Sequence, residues 1–185
     1  MPFDDPPWTD EPSPGRERAW VQRQWQQRAT WSPGQWRLRL VVEHESQPIG
    51  MQDLLATSFS SLGVVTTYSW LGQRYQGRGF GKEMREAVLA LAFDGLGARQ
   101  AESTAFEDNL ASAGVSRSLG YEENGREWML RRGQAAAALR FRMTPTGWHG
   151  RERSPVALHG LEACRPLFGL REPYTSREGK GARDD

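Results

Sequence analysis

The chain is poor in cysteine, lysine and histidine, and it holds no long apolar run. Of its 185 residues one is a cysteine, Cys164, so no internal disulfide forms. A reducing, cytoplasmic setting is therefore expected. No apolar stretch reaches the roughly 18 residues a membrane span needs, and no membrane partner is expected. The proline-rich start lacks the basic-then-apolar order of a secretion signal. His44, His149 and His159 stand far apart, and no C-x-x-C or H-x-x-x-H spacing occurs. No metal centre is therefore expected. Neither sign of charge prevails: 24 basic residues face 23 acidic ones, a net charge of +1. That removes the strong positive field of a nucleic-acid binder, and no nucleic-acid partner is expected. No internal repeat is found.

What is present fits one domain with an appended segment. Residues 1–15 carry 5 of the 11 prolines and four acids, and are expected to be an extended segment. Residues 16–150 form the expected domain, 151–170 a docked apolar extension, and 171–185 a charged tail expected to be disordered. Residues 16–31 read as a helix; Trp20 and Trp25 on it cannot both be solvated cheaply. Residues 36–44 and 49–57 read as a strand hairpin, 60–63 as a turn, and 64–71 as a third strand. A helix follows over 80–93, stopped by Gly95 and Gly97. Next come a strand at 100–106 and a short helix capped by Asp108 or Asn109 and closed by Gly120. Strands at 127–132 and 136–143 and a loop at 144–154 complete the domain. This order predicts a mixed α/β (α+β) sandwich rather than a doubly wound sheet.

Residues 69–93, SWLGQRYQGRGFGKEMREAVLALAF, organise the rest. Gly77, Gly79 and Gly81 alternate with basic residues, and Phe80, Met84, Ala87, Val88, Leu91 and Ala92 then recur at helical spacing. Glycines ahead of a helix let the backbone approach a ligand and leave the first N–H groups free. Those groups and the positive helix end favour an anion, above all phosphate. Arg74 and Arg78 can add charge-assisted bonds. Glu83 after Lys82 excludes the P-loop, which requires Ser or Thr there. The glycine spacing also excludes the dinucleotide fingerprint.

Arg74, Gly77 and Gly79 satisfy R-x-x-G-x-G, and Asn109-x-x-Ser112 precedes Leu119-Gly120-Tyr121. On these two stretches the chain resembles the GNAT acetyltransferase superfamily, in particular the branch that acetylates ribosomal-protein N-termini. The resemblance runs over about residues 36–141. It implies a mostly antiparallel sheet, helices on both faces, and a splay between the parallel strands 64–71 and 100–106. It implies acetyl-CoA as co-substrate, its pantetheine arm lying in that splay. The donor-binding residues it implies are Leu71, Arg74, Gln76, Gly77, Arg78, Gly79, Phe80, Gly81, Lys82, Asn109 and Ser112. No counterpart of the family's opening strand and first helix is expected ahead of residue 16.

The implied activity moves an acetyl group to a primary amine, on a small molecule or a protein N-terminus, by direct transfer in a ternary complex. In much of the family a tyrosine donates the proton to the leaving thiolate; here Ser116 holds that position, with Ser112 one turn earlier as the alternative. Glu107 and Asp53 are the candidate bases, although a chain of water could serve instead. The absent tyrosine and first strand leave open a catalytically inactive acyl-CoA-binding module. Trp20, Trp25, Trp31 and Trp36 suggest an aromatic acceptor pocket. The oligomeric state is open, a homodimer included.

Overall fold

The computed structural model describes residues 8–170. Its centre is a six-stranded sheet in the order β1-β2-β3-β4-β6-β5. The strands are β1 (Gln35–His44), β2 (Gln47–Thr57), β3 (Val64–Leu71), β4 (Gln100–Phe106), β5 (Glu122–Arg131) and β6 (Gln134–Met143). All neighbours run antiparallel except β3 and β4, which are parallel. That pair stays together for only three residues, Val64↔Gln100 to Thr66↔Glu102. Beyond it the strands part, while each remains held by its outer neighbour.

One sheet face is covered by α3 (Phe80–Ala90) and α4 (Leu110–Ser118). The core gathers there: Leu54, Val65, Val88, Leu89, Ala101, Ala105, Ala113, Leu119 and Phe141 are all buried together. The opposite face carries α1 (Gly15–Ala29), which buries no residue completely. It docks through polar contacts, Gln24 accepting a hydrogen bond from Arg39 of β1.

Several elements depart from the sequence reading. The turn at 60–63 is a short helix, α2 (Phe59–Leu62), entered and left through left-handed Ser58 and Gly63. Gly95 does not stop the long helix cleanly; a π turn (Leu91–Gly95) continues it until Gly97 turns the chain at φ 71°. β5 begins five residues earlier than expected, because a bulge between Glu123 and Arg126 absorbs Gly125 and lets pairing resume. The loop at 144–154 contains α5 (Pro145–His149), capped by the Thr144 hydroxyl, with Trp148 fully buried. Residues 156–170 do dock: Phe168 meets Trp36 edge-on at 4.9 Å, and the Trp31 ring N–H donates to the Leu167 carbonyl at 2.8 Å. At the other end, Asp10 accepts two hydrogen bonds from Arg132, so the described part of the N-terminal segment is anchored. The expected tail at 171–185 lies outside the described residues. No described helix is long and apolar enough to cross a membrane.

Candidate active site

The site forms where β3 and β4 part. β3 ends at Leu71, and the chain makes a 3-10 turn (Gln73–Tyr75) before the glycine loop. The Gln76 side chain donates to the Leu71 carbonyl at 3.0 Å and fixes the loop's entry. Gly77 at φ 72° and Gly79 at φ 88° take left-handed conformations that bend the backbone into α3. Inside α3 the ladder begins with Lys82 N–H and Glu83 N–H donating to the Gly79 carbonyl. The N–H groups of Gly77, Arg78, Gly79, Phe80 and Gly81 donate to no backbone carbonyl among the described residues. A side chain added at Gly77 or Gly79 would meet no atom within 4 Å, so the space over the loop is open. Arg74, Arg78 and Lys82 make no ion pair among the described residues; Arg74 and Arg78 lie over the rings of Tyr75 and Phe80 instead. Free amides, open space and three uncompensated cations on one loop fit the diphosphate that acyl-CoA carries.

α3's front abuts both splay strand and second helix: a side chain at Gly81 would touch Val115 at 3.5 Å and Leu71 at 3.7 Å. The structure thus brings Leu71, residues 76–82 and α4 together. Asn109 caps α4, its side-chain oxygen accepting from Ser112 N–H at 3.2 Å. Its side-chain NH2 has no partner among the described residues and can meet an amide of the donor arm. Ser116 is fully buried and its hydroxyl has no partner among the described residues; Ser112 is half-buried. Tyr121 is buried too, and its N–H donates to the Ser116 carbonyl at 3.1 Å.

The base candidates differ. Asp53 lies buried beneath α1, bonded by Arg37 at 2.6 Å and by Arg39 at 2.9–3.0 Å. Its oxygens are taken up by two guanidinium groups, so it is a structural carboxylate. Glu107, half-buried past the end of β4, sits 3.0 Å from Arg126. Of the four tryptophans, Trp31 and Trp36 stack 6.0 Å apart in the core contact with Phe168, and Trp25 is 66 % exposed. Only Trp20 lines the small polar pocket under α1, with Gln24, Asp53, Tyr68 and Trp70. The four-tryptophan acceptor pocket is therefore not formed: packing of 156–170 draws Trp31 and Trp36 away.

Sequence reasoning missed two groups at the fork. Arg85 of α3 is 3 % exposed and donates to Ser103 of β4 at 2.9 Å and to Ser69 of β3 at 3.0 Å. Since Ser103 faces α3, strand alternation turns Glu102 and Thr104 to the α1 face. Glu102 is the last paired residue before the strands part, and its side chain accepts from Gln100 at 2.7 Å. The alternation Gln100, Glu102, Thr104 was the readable signal for that polar face. A larger apolar groove of about 580 Å³ runs between β1, α3 and residues 156–168 and shares only Phe80 with the loop. Its lining also carries Glu43, His44, Glu83, His159 and Cys164. No group of three or more His, Cys, Asp or Glu suited to a metal occurs among the described residues.

An acetyltransferase (GNAT) domain model matches residues 1–122. Among solved structures, mutant forms of the spermidine/spermine N-acetyltransferase SpeG from Vibrio cholerae are similar, with a TM-score of 0.62 and 15 % identity over 72 % of this chain and 77 % of that one. RimJ of Mycobacterium smegmatis, in complex with CoA-disulfide, gives 0.63 and 19 % identity, covering 69 % of this chain and 61 % of that one. A putative ribosomal-protein-serine acetyltransferase from Vibrio cholerae gives 0.57 and 19 %, covering 69 % and 72 %. At such identities the likeness is one of fold.

Proposed function

The chain belongs to the GNAT acetyltransferase family, and from that premise we propose that it moves an acyl group, acetyl in the simplest case, from acyl-CoA to a primary amine by direct transfer. The observation that carries the reading is the open glycine loop that follows β3, where five N–H groups donate to no backbone carbonyl among the described residues. When bound, acyl-CoA supplies an activated thioester carbonyl. The chain's own groups do the rest. Residues 76–82, with Arg74 and Arg78, hold the phosphates. The unpaired edges of β3 and β4 beyond Thr66 and Glu102 hold the arm and orient the carbonyl. A strand N–H there supports the oxygen as negative charge grows on it.

The acceptor enters from the α1 face, where Tyr68, Trp70 and Glu102 lie. An amine attacks only when neutral, and Glu102, at the fork on that face, takes its proton. Glu107 takes that role less readily, since Arg126 already holds its carboxylate. The unbonded hydroxyl of Ser116 gives the departing sulfur a proton donor, with Ser112 as the alternative at the helix start. Calorimetric titration with coenzyme A tests the binding half: a single saturable site is expected, and no heat at millimolar ligand overturns it. Thiol release with a panel of amines tests the transfer half. Tight binding without any release points to the inactive acyl-CoA-binding module, which the full burial of Ser116 favours.

A further inference from the structure

Arg85 is a buried cation without a counter-ion. It makes no ion pair among the described residues, and its neighbour Glu86 turns to Arg151 at 3.2 Å. The groups it does meet, the Ser69 and Ser103 hydroxyls, are neutral. A guanidinium has five N–H donors in a planar fork, and these two bonds leave three spare. One of them, Nε–H, is buried with no partner among the described residues. A buried charge in that state is costly unless something anionic joins it.

Its place says what could join it. Ser103 lies one residue past Glu102 and Ser69 three residues past Thr66, both beyond the last paired residues of their strands. The guanidinium therefore bridges the two parted strands on the α3 side, within the slot. The glycine loop marks the outer end, at Leu71. From Leu71 back to Thr66 is five residues, about 17 Å of strand. A donor held by its phosphates at the mouth would bring its acyl end to this inner region.

We propose that Arg85 adapts the slot to acyl donors whose acyl group ends in a carboxylate, the monothioesters of short dicarboxylic acids. The proposal rests on the acyl-CoA reading above. A terminal carboxylate supplies the missing counter-ion and accepts two parallel N–H bonds from the guanidinium. A methyl-ended acetyl group leaves the charge as lonely as before. The carboxylate takes no part in the transfer. The amine nitrogen bonds to the thioester carbon, the C–S bond breaks, the sulfur gains a proton, and the acyl end stays charged at Arg85.

The test is calorimetric titration of the full chain with coenzyme A, acetyl-CoA and succinyl-CoA at one ionic strength, repeated with Arg85→Met. The wild type is expected to bind succinyl-CoA at least tenfold more tightly than acetyl-CoA, and R85M to bring that ratio near one. R85M should keep its affinity for coenzyme A itself within about threefold, since the phosphate loop is untouched. A ratio near one in the wild type, or a preference that survives R85M, overturns the proposal. If R85M does not fold, as checked by circular dichroism, the wild-type ratio alone decides. Binding of coenzyme A and acetyl-CoA without a succinyl preference overturns this proposal only. Binding of none of the three overturns the acyl-CoA reading and takes this proposal with it.

Discussion

Replacing Gly79 by alanine separates the loop's two tasks, turning the chain and receiving a ligand. Gly79 has φ 88°, and a Cβ built there meets nothing within 4 Å. No clash arises, so the stability cost is the left-handed backbone alone, roughly 1–2 kcal/mol for an L residue. For a domain of this size each kcal/mol lowers Tm by about 2–4 °C, so a drop of about 2–8 °C is expected. Ligand affinity should fall for a further reason. The new methyl stands in the open space over the free amides and pushes the diphosphate off them. Losing one charge-assisted hydrogen bond of about 1.5–3 kcal/mol weakens binding about ten- to a hundredfold. Gly97 is the matched control, with φ 71° and equally open space, but at the far end of the helix. G97A should show the same loss of Tm, measured by scanning calorimetry, and unchanged affinity for coenzyme A. If G79A loses no more affinity than G97A, the loop does not receive the phosphates.

Glu102→Gln should lower kcat about 10²- to 10⁴-fold and remove the acidic limb of the pH–rate profile, with KM for the donor unchanged; an unaltered profile moves the base elsewhere. Asn109→Ala removes the cap of α4 and should cost about 0.5–2 kcal/mol in denaturant unfolding, with N109S restoring most of it. The hydrogen bonds from Arg131, with its nearby charge, hold the Asp108 carboxyl below its ordinary value of 3.8. A lowered acid pKa adds stability above the unfolded value and loses it as pH falls through the folded one. Thermal melts of D108N and wild type should therefore differ at neutral pH and converge in acid below that value. Melts that stay equally far apart at every pH contradict this.

The parts of the fold that were legible owe it to short-range signals. β3 and β4 fall on the expected spans, since each is a β-branched or alternating run closed by glycine or a cap. The loop's glycines announced themselves because no other residue turns left-handed so cheaply. Where the reading failed, the deciding contact was distant in sequence. Arg85 lies between Met84 and Glu86 and looks like one more charge on an amphipathic helix; only the parting of two strands beneath it makes it a buried bridge. Asp53 is only a candidate base in the sequence; pairing with β1 sets Arg37 and Arg39 against it. Of the pair Trp20 and Trp25, Trp20 is half-buried and Trp25 is exposed, because α1 docks by polar groups and has no apolar stripe to bury. The short helix α5 did carry a local signal, a Thr cap followed by proline, which a loop reading passed over.

The most direct test of the account is an amide-resolved NMR titration of the full chain with coenzyme A. The backbone N–H resonances of Gly77, Arg78, Gly79, Phe80 and Gly81 should move together and saturate at one equivalent, the largest shifts on the two left-handed glycines. Saturable shifts confined to the apolar groove beside β1, with those five amides unmoved, would contradict it.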